Sequence, residues 1–312
     1  MDKEKDLTVH QPRSTQSAIS DGYRLYARHF GHLLKSSWPA AIIYAMALGA
    51  AMAYYFSNVL PTMLSTNGTM QPPTATAAKW AALMALYGLT VALFICAAGF
   101  APLREHEQTG TISRPPHWWG RWPMALTGQA IVVGLWLMVA GAAGGAVVGL
   151  MMWGLIAIMG TSATAAPIVT TITCTILMLV LTVALLPLSI SSIDCMMEKK
   201  FTLAPPVKGY KKAMGHIGRL FMTALVVWIV AGVTSALIQM PCIILALADV
   251  TAMKGVAHGD PLDMPQPLFW FNFATFALGG LLQAYIHLTT LFPFYYQWGS
   301  IKEQEQENNN KS

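Results

Sequence analysis

The sequence predicts an all-α, polytopic integral membrane protein with six transmembrane helices arranged as three hairpins. Only 11% of its 312 residues are charged, whereas a soluble domain carries about 25%. Hydrophobic residues make up 55% of the chain, and its mean hydropathy is +0.50. Apolar runs of about 20 residues recur along the chain, and this length crosses a hydrocarbon core of about 30 Å. Such a composition suits a surface that contacts lipid rather than water.

The apolar runs place the six spans. The third run is too long for one upright span, so it must tilt, extend beyond the bilayer, or break near Gly144-Gly145 into two spans. The spans form one membrane domain over residues 17–301, with residues 1–16 and the polar tail 302–312 expected to be disordered. The predicted spans are Trp38–Leu60, Lys79–Pro102, Pro123–Met159, Pro167–Ser192, Leu220–Leu247 and Leu268–Trp298.

The basic residues indicate the orientation of the spans. Apart from Lys79 and Lys254, every Lys and Arg lies before span one, after span six, or in the connections between spans two and three and between spans four and five. Cytoplasmic segments carry such an excess of Lys and Arg. Both termini are therefore expected in the cytoplasm, with three hairpins that enter and leave on that side. The same rule accounts for the net charge of +5, so no nucleic-acid partner is expected.

A similar phrase occurs twice, as GYRLYARHFGHLL (Gly22–Leu34) before span one and GYKKAMGHIGRLF (Gly209–Phe221) before span five. Both copies place apolar residues on one helical face and cations opposite. The pattern predicts amphipathic helices in the membrane interface that turn into the spans near Gly31 and Gly218 and bind anionic head groups. A solvated cytoplasmic helix is the alternative. The predicted basic face is Arg24, Arg28, Lys35, Lys208, Lys211, Lys212 and Arg219.

Span six carries a polar stripe, because polar side chains follow one another there at steps of three or four residues. Gln129 of span three and Gln239 of span five are expected to meet it. One interpretation is a polar path for a solute, with His287 titrating. The other is hydrogen bonding between helices, which the sequence favours. The candidate residues of the stripe are Asn272, Thr275, Gln283 and His287.

The sequence offers no sign of catalysis. Spans one to five have no Asp, Glu, Lys or Arg in their central parts, and the nucleotide, hydrolase and zinc-protease motifs are missing. We therefore expect no catalytic residue, no metal site, no cofactor and no enzymatic activity. His29 and His216 align in the two copies of the phrase without a predicted role. Small residues four apart, such as those around Gly49 and Gly145, favour close helix packing within the chain or in a homo-oligomer.

The basic phrase before spans one and five of six resembles the YciC-like membrane proteins and the membrane domain of some glycerophosphoryl diester phosphodiesterases. The resemblance covers most of the chain and implies a bacterial protein of the cell inner (plasma) membrane. It implies no catalytic residues that could be carried over to this chain. The expected function is a non-enzymatic membrane scaffold that contacts lipids or another membrane protein through its cytoplasmic basic face. The alternative is a transporter or channel for a small or apolar molecule that uses the span-six stripe.

Overall fold

The structure is a computed structural model that describes residues 9–61, 74–110, 112, 121–159, 166–198, 201–207, 209–257 and 268–311. All regular secondary structure in these ranges is helical. Short π-helical turns follow the first and second helices, at Tyr55–Val59 and Cys96–Phe100. The α-helices are α1 (Thr15–Tyr54), α2 (Thr74–Ile95), α3 (Ala101–Thr109), α4 (Arg121–Met159), α5 (Ala166–Met197), α6 (Tyr210–Met214), α7 (Ile217–Ala257) and α8 (Leu268–Lys311).

Six of the described helical segments are long and apolar enough to cross a membrane, which confirms the predicted all-α class and the number of spans. The third run is one uninterrupted helix, α4, so of the three alternatives for this run the break near Gly144-Gly145 does not occur. At 1.5 Å per residue its 39 residues reach about 58 Å, well beyond a hydrocarbon core. The six segments are Thr15–Val59, Thr74–Thr109, Leu126–Met151, Ile172–Met197, Ile217–Met253 and Leu268–Glu307.

Three helices continue beyond prolines near which the sequence predicts the ends of spans. Pro187 lies inside α5 and Pro293 inside α8, while Pro102 lies at the start of α3, directly after the π-helical turn. A proline removes one backbone hydrogen bond and crowds the preceding turn, but helices tolerate it when the freed groups find other partners. The last helix therefore reaches Lys311, through residues that the sequence predicts as a disordered tail.

The two copies of the basic phrase fold differently. In the first copy α1 runs from Thr15 through Gly31 to Tyr54 without interruption, so the turn predicted at Gly31 is wrong. A helix continuous with its span does not form a separate interfacial helix. In the second copy the short helix α6 ends at Met214, and α7 begins at Ile217. The helix is therefore interrupted at Gly215 and His216, just before Gly218.

The described chain groups into two compact units. The first unit comprises Met1–Gly22, Met124–Val226 and Pro293–Ser312, and the second comprises Tyr23–Pro123 and Val227–Phe292.

In the first unit, the residues before α1 are anchored rather than free. The backbone N–H of Arg13 donates to Ser300 Oγ at 2.9 Å, and its side chain pairs with Asp21 at 3.0 Å. The Arg13 guanidinium also lies 4.8 Å from the centre of the Tyr296 ring. Val9 packs against Gly299, where no Cβ would fit. Residues 9–14 are thus held by α8, although the sequence predicts disorder over residues 1–16.

In the second unit, α1 packs closely on α8. A Cβ on Gly49 would lie 2.7 Å from the carbonyl oxygen of Phe273 and 2.9 Å from Ala277 Cβ, so only glycine fits this crossing. Nearer the N-terminus of α1, Tyr26 Oη donates to the carbonyl oxygen of Tyr285 at 3.0 Å, and the Tyr285 hydroxyl bonds the Ser37 hydroxyl at 3.0 Å. The small-residue pattern of span one therefore serves packing within the chain.

Candidate functional site

The predicted basic face is largely exposed where the structure describes it. Arg24, Arg28 and Lys35 on α1 are exposed, as are Lys211 and Lys212 on α6. Arg219, in the first turn of α7, is half-buried, and Lys208 lies outside the described residues. His29 and His216, the histidines that align in the two copies, are both half-buried.

Two of these cations contact the end of α8. Lys212 Nζ lies 3.0 Å from Glu305 Oε2, and an Arg219 guanidinium nitrogen donates to Gln304 Oε1 at 2.9 Å. The Lys212 side chain is 61% exposed, so water screens this pair and it contributes at most about 1 kcal/mol. Glu305 nevertheless offsets part of the Lys212 charge, which leaves Arg24, Arg28, Lys35 and Lys211 as the exposed, unneutralised cations among the described residues of the face.

In α1, only part of the face that the sequence predicts to be apolar is buried. Tyr26 and Leu33 are buried in the protein, whereas Phe30 and Leu34 are 37% and 42% exposed, and Trp38 is 55% exposed. Exposed aromatic and aliphatic side chains thus lie on the same helix as Arg24 and Arg28. Trp beside cations is typical of the depth at which lipid head groups meet acyl chains.

The two copies of the phrase share one pattern of burial, at an offset of 187 residues. The match continues beyond the phrase into the spans themselves, where the residue types no longer agree. Six pairs of positions are buried in both copies, namely Tyr26/Ala213, Leu33/Leu220, Ser36/Thr223, Ser37/Ala224, Ala40/Val227 and Tyr44/Ala231.

The polar stripe of α8 lies against α7 in the second unit, and its side chains bond across the contact. Gln283 Nε2 donates to Ser235 Oγ at 2.8 Å and also lies 2.8 Å from His287 Nε2. Gln239 Nε2 reaches the carbonyl oxygen of Gly279 at 3.4 Å and Gln283 Oε1 at 3.5 Å. The predicted meeting of Gln239 with the stripe is therefore confirmed.

The other end of the stripe is also bonded to α7. Cys242 Sγ donates to the carbonyl oxygen of Thr275 at 3.5 Å, and Asn272 Nδ2 donates to Asp249 Oδ2 at 2.6 Å. From Asn272 to His287 the stripe covers about 22 Å of helix at 1.5 Å per residue. It thus forms a polar seam, defined here as the hydrogen-bonded contact of α7 with α8 between these two residues.

Gln129, which the sequence predicts to meet the stripe, has hydrogen-bond partners within the first unit. In the first unit it donates from Nε2 to Cys195 Sγ at 3.0 Å and to the carbonyl oxygen of Thr202 at 3.2 Å. Its Oε1 accepts from the Thr202 backbone N–H at 2.8 Å. Gln129 therefore fixes the segment that follows α5.

Asp249 is a buried acid that the sequence interpretation missed. It lies inside α7, and both it and Asn272 are 1% exposed. Asp249 Oδ1 and Asn272 Oδ1 have no hydrogen-bond partner in the part of the chain that the structure describes. The predicted span five ends at Leu247, which placed Asp249 outside it. The signal was present, because Asp249 continues the helical spacing of Ser235, Gln239 and Cys242.

A cavity of about 310 Å³ lies in the first unit between α5, α6 and the end of α8. Trp298 Nε1 donates to Asp194 Oδ1 at 3.1 Å, and Lys302 Nζ lies 4.6 Å from the centre of the Trp298 ring. The Lys212–Glu305 pair contributes to the same wall. The lining residues are Ile190, Asp194, Gly209, Lys212, Ala213, Trp298, Ile301, Lys302 and Glu305.

Among the described residues, no group of three or more His, Cys, Asp or Glu side chains is placed to hold a metal ion. A scan against protein-family models, a search of curated proteins and a search of solved structures found no match to this chain. A functional proposal for the protein therefore rests on the geometry of its own residues.

Proposed function

We propose that the protein is a non-enzymatic membrane scaffold that gathers anionic lipid head groups on the cytoplasmic side. The observation that carries this proposal is the first part of α1, where Arg24, Arg28 and Lys35 are exposed beside Trp38. Each cation near an anionic surface contributes about 1 kcal/mol. Three such cations together attract this part of α1 to an anionic membrane surface by about 3 kcal/mol.

The test measures which lipids the purified protein retains. In mixed micelles of phosphatidylglycerol and phosphatidylcholine, native mass spectrometry should find phosphatidylglycerol enriched on the wild type. The triple variant Arg24→Gln, Arg28→Gln, Lys35→Gln should lose most of this enrichment. The matched control Arg24→Lys, Arg28→Lys, Lys35→Arg keeps the charge and should keep the enrichment. Equal enrichment in all three proteins would show that these cations do not select lipids.

The proposed orientation places both termini in the cytoplasm of a bacterial inner membrane, with three hairpins. Its support is the distribution of Lys and Arg, together with an even number of candidate spans. Green fluorescent protein fused to either end should fluoresce, since it folds poorly after export, and alkaline phosphatase fused to either end should be inactive. Active phosphatase at one end would contradict this orientation.

We also propose that spans one and five descend from a duplicated unit that begins with the basic phrase. The shared burial at an offset of 187 residues supports it, and so does the resemblance to the YciC-like membrane proteins. In this view both copies bring cations to the cytoplasmic head groups. Only the second copy has a helix, α6, that is separate from its span.

Transport is the second candidate function, and the buried Asp249 carboxylate favours it. An ionisable group within an apolar span marks an ion or substrate pathway by default. Flux of monovalent cations and protons into proteoliposomes should then fall with Asp249→Asn but not with Lys79→Gln, an exposed cation of α2. Wild-type flux equal to that of empty liposomes would leave the scaffold function as the better account.

A further inference from the structure

The cavity in the first unit carries charges of both signs on one rigid support. Trp298 is 2% exposed and stacks on Tyr295, with ring centres 6.0 Å apart. Its indole N–H is bonded to Asp194, and the Lys302 ammonium lies over its ring. The indole therefore holds an anion at its edge and a cation on its face. Side chains fixed in this way are ready to bind without further ordering.

The charge balance of the wall restricts the ligand. Lys212 and Glu305 neutralise each other, so Asp194 and Lys302 are the charges left to meet a ligand. A simple anion would meet the Asp194 carboxylate, and a simple cation would meet the Lys302 ammonium. Only a ligand that carries both charges can satisfy both. The volume of about 310 Å³ is at the lower end of small-molecule sites, which suits a compact head group.

We propose that this cavity binds a zwitterionic aminophosphate, the chemistry of a phosphoethanolamine group. Its ammonium donates to Asp194, and its phosphate accepts from Lys302, a side chain that binds phosphate as a point charge. The apolar walls at Ile190 and Ile301 suit the carbon atoms that follow the phosphate. This site goes beyond the proposed anionic-lipid function, because Asp194 and Lys302 do not belong to the basic face.

The experiment uses the full chain in detergent with equal amounts of phosphatidylethanolamine, phosphatidylcholine and phosphatidylglycerol. Native mass spectrometry should show phosphatidylethanolamine retained over phosphatidylcholine, whose ammonium has no N–H to donate. Asp194→Asn still accepts from the Trp298 indole but loses its charge, and it should reduce this preference about tenfold, as for loss of a charged hydrogen bond. Lys302→Gln should weaken retention of phosphatidylethanolamine and phosphatidylcholine alike, because both lipids carry the phosphate that Lys302 would bind. The control Glu307→Gln removes an exposed acid of α8 outside the cavity and should leave the preference unchanged.

Two further comparisons distinguish a lipid from a free metabolite as the ligand, and the cavity site from the basic face. Competition by soluble O-phosphoethanolamine would support a free metabolite as occupant, and its failure to compete would support the lipid. Lys211→Gln should weaken only phosphatidylglycerol retention, and Asp194→Asn only phosphatidylethanolamine retention. Equal retention of phosphatidylethanolamine and phosphatidylcholine by the wild type would overturn the proposal. An equal loss in Asp194→Asn and Glu307→Gln would overturn it as well.

Discussion

Replacing Asn272 with leucine removes the amide that donates to Asp249 and leaves that carboxyl group buried without its partner. Asp249 is 1% exposed, and the bond is 2.6 Å long. Leaving a buried polar group without its hydrogen-bond partner costs about 1–3 kcal/mol, and more when the group is charged. An ordinary hydrogen bond between membrane helices contributes about 0.6 kcal/mol on average and about 1.7 kcal/mol at most. The expected loss for Asn272→Leu is therefore at the upper end of the first of these ranges, about 3 kcal/mol.

A second variant in the same seam supplies the comparison. Gln239→Leu removes two long bonds, of 3.4 and 3.5 Å, to Gly279 and Gln283. Both partners keep other contacts, since Gln283 also bonds Ser235 and His287. The expected loss is about 1 kcal/mol. The contrast between the two variants is thus set by the carboxyl group and not by the number of bonds removed.

The double variant Asp249→Leu, Asn272→Leu should be more stable than Asn272→Leu alone, because removing both polar groups leaves nothing buried and unpaired. Asp249→Asn should be nearly neutral, since an amide at this position still accepts from Asn272 and has an N–H to donate to Asn272 Oδ1. The free energy of unfolding of the full chain is measured in mixed micelles by titration with sodium dodecyl sulfate, followed by tryptophan fluorescence. The reasoning fails if Asn272→Leu costs no more than Gln239→Leu, or if the double variant is the least stable of the set.

Three further predictions use the same unfolding measurement. Gly49→Ala should destabilise the protein by about 1–3 kcal/mol, because the added Cβ would overlap a backbone oxygen on α8. Gly31→Ala should instead stabilise α1 by about 0.5–1 kcal/mol, because no atom lies near the added Cβ. If the two variants change the free energy of unfolding in the same way, α1 and α8 do not cross closely at Gly49. Tyr285→Phe should cost about 1 kcal/mol through loss of the bond to Ser37, with no effect expected if that bond is missing. Deleting residues 303–312 should lower the free energy of unfolding by about 1–2 kcal/mol, because Lys212 and Arg219 lose their partners on α8. An unchanged unfolding midpoint would mean that this segment is a disordered tail.

The six spans could be predicted from sequence because their length is set by the thickness of a bilayer, which is nearly the same for every protein. Their ends could not, because the ends depend on contacts distant in sequence. Beyond Pro293, α8 continues as its side chains bond Asp194 and Arg219, 104 and 85 residues away. A polar, charged sequence such as residues 302–311 carries no local sign of these partners.

In the candidate sites too, local periodicity could be predicted from the sequence, whereas pairings between distant residues could not. Helical spacing placed the stripe on one face of α8 and identified Gln239, because both follow from periodicity alone. It also predicted cations along one side of α1, where Arg24 and Arg28 are exposed. The pairing of Lys212 with Glu305 joins residues 93 apart and has no local pattern. Asp249 was missed for another reason, since the end of an apolar run was taken as the end of a helix.

The packing of Gly279 bears on whether the seam conducts a solute. A Cβ on this residue would lie 2.6 Å from Cys242 Sγ and 3.1 Å from Gln239 Oε1. A single carbon does not fit there, so a water molecule does not pass between α7 and α8 at this level. The bonds of Gln283 to Ser235 and His287 close the adjacent turn. Conduction along the stripe would require the two helices to separate at Gly279. In this structure the polar side chains instead hold α7 against α8, and the charges proposed to meet a ligand lie on α1, α5 and α6 and at the end of α8.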